Sequence, residues 1–343
     1  MVGVNIGDLF TPCPWSPEKI EYALAEARSS NYFCCDAVKF WHCDPARVLP
    51  TASQDHIRKV MVHANNDEML TVPCWVGWIE HNLAPIVARL RECDVFKEVY
   101  LAVGNEALAP WHVQRFGARL APCLREIYDA LSVTGLMDRV KLVTPFELSI
   151  LGCSYPPSSG QVSDAHREVV TEVTRFLVKI GSPFCVNVYP FFARHDAARD
   201  FVLFGPDPGY LDGDSLHYSN MFSAQYDAVV SALGKLGVVG ADQMDVVVTE
   251  AGWPTARILK KRYLLGRALS RLTLGRTGCS DMADGANARK HTNGVCAASV
   301  KGTPLRPGRM DVYLFELYDE CDKHGNDHER HFGLFDMAGR PKR

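Results

Sequence analysis

The chain has 343 residues, of which 47% are hydrophobic and 22% charged, and its formal net charge is −3. These proportions suit a globular protein and exclude wholesale disorder and collagen-like structure. There is no run of 18 apolar residues to make a membrane-spanning helix, and the balanced charge gives no reason to expect a nucleic-acid partner.

Val2–Ile6 opens the chain as an apolar run and predicts a strand, and Pro17–Ser29 follows with helical spacing. Ala37–Trp41 and Ile57–Val62 predict the second and third strands. Helix Val76–Leu90 leads to strand Lys97–Val103, and helix Val113–Leu131 to strand Val140–Thr144. Helix Ala165–Ile180 leads to strand Phe184–Val188, and helix Ser223–Leu236 to strand Asp245–Thr249. Asp311–Phe315 is the eighth strand. Short apolar strands alternating with helices signal βαβ units and a parallel sheet. Eight repeats at about 43 residues each predict a single (β/α)8 barrel. A doubly wound sheet is the alternative, but no glycine-rich phosphate loop follows any strand. No Ser/Gly/Pro linker divides the chain, so residues 1–343 read as one catalytic domain.

Chemistry in such barrels sits where the strands end. Two strands run directly into a glutamate. Val99–Val103 is followed by Gly104-Asn105-Glu106, and Val246–Thr249 by Glu250-Ala251-Gly252-Trp253-Pro254. A pair of carboxylates over a barrel mouth is what glycoside hydrolysis requires: one protonated to serve the leaving oxygen, the other ionised to attack or to direct water. The competing reading is a pair of solvated strand-end residues. Asn105, able to bond a sugar hydroxyl, and Trp253, with a flat apolar face, favour the first.

These residues resemble the signatures of glycoside hydrolase family 17, the plant-type endo-β-1,3-glucanases. The likeness rests on Val103-Gly104-Asn105-Glu106 and on Val248-Thr249-Glu250-Ala251-Gly252-Trp253-Pro254-Thr255. It continues through Gly3-Val4-Asn5, Pro156-Pro157-Ser158, Asn187-Val188-Tyr189-Pro190-Phe191-Phe192 and Gly302–Pro307. It ends with Asp319-Glu320 and the stretch Glu329–Phe335. The motifs are in family order and span nearly the whole chain. The resemblance implies a retaining endo-hydrolase of β-1,3-glucan that needs no cofactor or metal, with Glu106 as acid/base and Glu250 as nucleophile. It implies supporting roles for Glu320, Lys323 and Glu329, and substrate contacts from Asn105, Asn187, Tyr189, Phe191, Phe192 and Trp253. It also implies a monomer acting outside the cell or in the cell wall, in carbohydrate metabolism and plant defence. A β-1,3-glucanosyltransferase and a catalytically impaired glucan-binding protein are the alternatives.

The sequence departs from the family in three places. Ile6 stands where an aromatic residue is usual, and Lys39-Phe40-Trp41-His42 where Arg/Lys-x-Tyr-Asp is usual. The largest departure is a segment at about 256–283, directly after the Glu250 loop. Ala256–Ser280 carries seven basic residues and no acidic one, which leaves the rest of the chain at −10. It reads as a surface excursion, as a basic amphipathic helix for a partner, or as translated intron; the clean return to the family pattern favours the last. The start of the chain shows no signal-peptide pattern, and no Asn-x-Ser/Thr sequon occurs. These absences favour a non-secreted product or a mature-domain fragment. Twelve cysteines without Cys-x-x-Cys spacing read as buried thiols, with disulfide pairing open. Cys321, His324, His328 and His331 have ligand-like spacing, but the glycosidase reading already accounts for that stretch, so no metal is expected.

Overall fold

The computed structural model describes residues 1–7, 15–29, 35–194, 197–255 and 282–342. Eight strands form its centre: β1 Val2–Ile6, β2 Ala37–Phe40, β3 Lys59–Ala64, β4 Glu98–Val103, β5 Val140–Val143 resuming at Pro145–Phe146, β6 Phe184–Asn187, β7 Val246–Ala251 and β8 Val312–Leu314. All lie at the positions expected from the apolar runs, within one or two residues. Every pairing among them is parallel, in the order β5-β4-β3-β2-β1-β8-β7-β6, and the second half of β5 pairs with β6. Only Thr144 separates the two halves of β5, so the sheet closes on itself as a barrel.

Alternation sorts each strand into two faces. Val38, Val62, Leu101, Leu142, Val186, Val248 and Leu314 face outward into the main core, where the helices pack. Their neighbours Ala37, Met61, Tyr100, Ala102, Val143, Cys185, Val247 and Tyr313 form a separate buried cluster that fills the barrel. Both faces are buried, which is why the strands read as continuous apolar runs rather than as alternating ones. The filling is tight. A Cβ on Gly3 would lie 2.7 Å from the Tyr313 ring and 2.8 Å from the Ala37 Cβ, so only glycine lets β1 pass there.

The helices cover the outer face. Asp164–Ile180 buries Val170, Val173, Thr174 and Leu177, one stripe at helical spacing, and stops at Gly181 in the left-handed region at φ 67°. Met221–Gly234 starts at Asn220, whose side chain accepts from the Ser223 amide at 2.8 Å. Gly285–Lys301 starts at Asp284, which accepts from the Asn287 amide at 2.8 Å. No described helix is long and apolar enough to cross a membrane.

The basic segment of 256–283 lies outside the described residues except for Met282 and Ala283. Its flanks come together. The Trp253 indole N–H donates to the Met282 carbonyl at 2.8 Å, so the chain leaves and re-enters the barrel at one place. Cys35, Cys43, Cys123 and Cys185 are buried among apolar side chains, and Cys43, Cys123 and Cys185 are free thiols.

Candidate active site

One step along the alternation from the apolar barrel filling, the interior turns polar. Lys39 lies two residues beyond Ala37, His63 two beyond Met61, Asn187 two beyond Cys185 and Thr249 two beyond Val247. All four are buried. The same parity that packs the barrel therefore aims these side chains into its mouth, at the carboxyl ends of the strands.

Glu250 has the wrong parity: directly after inward-facing Thr249, it should point outward. The register of β7 shifts between Val248 and Glu250 against β6, and between Val248 and Ala251 against β8. This irregularity turns Glu250 inward beside Thr249, as bulges near active sites commonly do. There Glu250 is 4% exposed. It accepts from Lys39 Nζ at 2.8 Å and from the Tyr189 hydroxyl at 2.7 Å. Burial lowers the Lys39 pKa, opposed first by the charge of Glu250, so each member of the pair compensates the other. Burial, followed by the charge of Glu250, raises the Tyr189 pKa well above its ordinary value and keeps it a donor.

Glu106 reaches the mouth differently. It follows β4 through Gly104 at φ 61° and itself has φ 52°, a left-handed conformation uncommon outside glycine. Asn187 Nδ2 donates to Glu106 Oε1 at 2.8 Å and lies 3.3 Å from Asn105 Oδ1. Asn187 Oδ1 accepts from the Thr249 hydroxyl at 2.7 Å, which orients the amide. Glu106 is half-buried, and burial is the main cause pushing its pKa up to about 8; the Glu250 charge adds to this, while the Asn187 bond opposes it. Asn187 thus ties Glu106 to Thr249, the residue before Glu250, and the two strand-end glutamates sit in opposite environments. Glu250 faces a cation and a hydroxyl donor; Glu106 faces another carboxylate and an amide.

A third group packs beside them. Lys323 Nζ lies 3.6 Å from Glu320 and 4.0 Å from Glu316, and 3.9 Å above the Phe315 ring. Glu316 is fully buried, and burial raises its pKa well above the ordinary value. Burial works against the Lys323 charge, but Glu316 and Glu320 outweigh it and raise its pKa. Glu329 contributes to that field while its own oxygen meets His328 Nε2 at 3.1 Å. The structure therefore gathers Glu316, Glu320 and Glu329 around Lys323.

The aromatic residues divide. Phe192 is 52% exposed. Phe191 and Trp253 were expected to line open cleft but are each 2% exposed, packed against one another at 5.1 Å in a buried cluster with Phe315 and Phe332. Trp253 also commits its N–H to Met282. Both support the site from behind, and Phe192 alone of the three presents an open face. Ile6 is buried in the core, and Trp41 packs within the mouth, 4.1 Å from Lys39 Nζ and 5.2 Å from the tilted His63 ring. Among the described residues, no three His, Cys, Asp or Glu side chains are grouped to hold a metal ion. His328 and His331 instead face Glu329 and Asp319.

Sequence reasoning did not place Lys39, Glu147 or Glu316 in the site. Lys39 carried a signal, a lone charge inside an apolar strand. Glu147 and Glu316 stand at the ends of strands β5 and β8 just as Glu106 and Glu250 stand at the ends of β4 and β7, and Glu147 adds to the charge that disfavours an ionised Glu106.

The family model for glycosyl hydrolases family 17 matches residues 77–343. The chain is 33% identical over 350 residues to glucan endo-1,3-beta-glucosidase 10 of Arabidopsis thaliana, covering 99% of this chain and 74% of that protein. It is 32% identical over 345 residues to glucan endo-1,3-beta-glucosidase 7 of the same plant, covering 97% of this chain but only 61% of that protein. Among solved structures, the beta-1,3-glucanase and allergen CJP38 of Cryptomeria japonica pollen superposes with a TM-score of 0.80 at 29% identity, covering 99% of this chain and 97% of that one. With a parallel barrel, carboxylates at the ends of its fourth and seventh strands and these likenesses over most of its length, the chain belongs to glycosyl hydrolases family 17.

Proposed function

We propose that this protein hydrolyses internal β-1,3-glucosidic bonds of linear glucans such as laminarin or callose by double displacement. The observation that carries the reading is the contrast between the environments of the two strand-end glutamates. Glu250, facing the Lys39 ammonium and the Tyr189 hydroxyl, is suited to attack the anomeric carbon as a carboxylate. Glu106, with its pKa near 8, is suited to hold a proton for the leaving oxygen. In the first step the Glu250 oxygen bonds to the anomeric carbon, the glycosidic C–O bond breaks and the Glu106 proton passes to the departing sugar. In the second, Glu106 takes a proton from water, whose oxygen displaces Glu250 with a second inversion. Asn105, half-buried beside Glu106, would bond a sugar hydroxyl, while Asn187, buried and bonded to Glu106 and Thr249, would orient the acid. Lys323, with Glu320 and Glu329, puts charge beside the nucleophile. The names of the relatives support glucan as substrate, and family resemblance supports action outside the cell or in the cell wall, with a part in plant defence.

Proton NMR of laminarin digestion tests the mechanism. The first reducing ends released should be β anomers that later mutarotate; α anomers appearing first would overturn the nucleophile assignment. Phe192→Ala should raise KM for laminarin about three- to tenfold while changing kcat little, because a stacking face is worth about 1 kcal/mol in ground state and transition state alike. An unchanged KM would remove Phe192 from the substrate path.

A further inference from the structure

Asn105 and Glu106 leave β4 in a backbone conformation that must be held. A left-handed conformation is unfavourable for a residue other than glycine, and Glu106 adopts it at φ 52°. The hydrogen bonds that hold it come from outside the strand. Asn66, in the loop after β3, brackets Asn105: its Oδ1 accepts the Asn105 amide at 2.9 Å and its Nδ2 donates to the Asn105 carbonyl at 2.9 Å. The Glu106 amide donates to the Pro145 carbonyl at 2.9 Å, and the Glu106 carbonyl accepts from the Ala109 amide at 2.9 Å. That same carbonyl lies 3.2 Å from His112 Nδ1. A carbonyl can only accept, so His112 Nδ1 carries the hydrogen. Asn66 Nδ2 lies 3.4 Å from that nitrogen and, being a donor too, gives its hydrogen to Asn105 instead. Gly104 completes the fit, since a Cβ there would come within 2.6 Å of Asn66 Oδ1.

We propose that Asn66 and His112 are positioning residues for the protonation step, clamping the Asn105–Glu106 backbone in the turn that directs the Glu106 carboxyl toward Asn187 and the leaving oxygen. Neither side chain need touch the substrate. The proposal rests on Glu106 being the acid/base. It goes beyond that reading in assigning the aim of the carboxyl to one asparagine on the β3 loop and one histidine tautomer ahead of the following helix.

Substrates that differ in their need for an acid separate positioning from general structural support. Laminarihexaose needs its leaving oxygen protonated; 2,4-dinitrophenyl β-laminaribioside does not. In Asn66→Ala and His112→Phe, kcat/KM for the hexaose should fall about 30- to 100-fold, as expected for a carboxyl displaced by about 1 Å. The aryl glycoside should stay within about threefold of wild type. His112→Asn, which can return an N–H near the Nδ1 position, should recover most of the loss. Equal losses on both substrates, or no loss on the hexaose, would overturn the clamp. If Asn66→Ala does not fold, the His112→Phe and His112→Asn pair decides alone. Glu106→Gln measured in parallel keeps the two ideas apart: should it lower both substrates equally, the acid/base reading fails in its own right.

Discussion

Laminarin turnover is expected to fall about 10⁴-fold in Glu250→Gln, with glucan binding retained. The amide keeps the shape of the side chain but has no charge to give the anomeric carbon. Reducing-sugar release measures the first effect, and affinity electrophoresis in laminarin gels the second. If wild type and variant release sugar equally slowly while both bind glucan, the protein is a binding module rather than an enzyme. Lys39→Met should also lose activity, by a smaller factor of about 10² to 10³, for a different reason. Lys39 is fully buried and its ammonium meets Glu250 at 2.8 Å. Removing one member of a buried ion pair leaves the other charge uncompensated, which costs roughly 3–5 kcal/mol. Lys39→Met should therefore unfold at lower denaturant, whereas the double variant Lys39→Met/Glu250→Gln should recover much of that stability. Additive destabilisation would show that the pair is not coupled.

The second large effect concerns Glu106. Its folded pKa of about 8 lies above the ordinary glutamate value of 4.5, so the folded protein binds a proton more tightly than the unfolded chain does. Stability linked to this group is present below pH 4.5 and is lost as the pH rises through 8. Glu106→Gln removes the ionisation. The variant should match wild type near pH 4.5 and exceed it by about 2–4 kcal/mol above pH 8, a gain visible as a Tm difference that grows with pH. A difference independent of pH would contradict the raised pKa. Activity reports the same group. The alkaline limb of kcat/KM for laminarin should fall near pH 8, because deprotonated Glu106 cannot serve the leaving oxygen. Glu147→Gln removes one of the charges that disfavour ionisation, so it should move that limb to lower pH by a few tenths of a unit.

Much of this architecture could be read from the residues alone. Val38, Met61, Leu101, Val186 and Val247 lie in runs apolar on both faces, which only a covered parallel sheet accommodates, and their recurrence predicts a barrel. Glu106 and Glu250 stand out because each ends a predicted barrel strand beside a residue suited to a sugar, Asn105 and Trp253. Lys39 was visible but ambiguous: a charge inside a strand becomes meaningful only when its partner, more than 200 residues away, is known. Phe191 and Trp253 show the opposite error. Their chemistry suits a sugar platform, but the packing that decides between platform and support involves Phe315, Phe332 and Met282 from distant segments.

Local pattern thus specified the strand positions, the barrel and the two glutamates that end its fourth and seventh strands, because side-chain alternation and strand-end polarity are properties of neighbouring residues. The direction of each carboxyl was not local information. Strict alternation would turn Glu250 outward, and it faces the cleft only through a register shift defined by its pairing with β6 and β8. Glu106 faces the cleft only through a left-handed turn held by Asn66, His112 and Pro145. Both depend on contacts between segments far apart in the chain, and so does the contrast in environment on which the proposed chemistry depends.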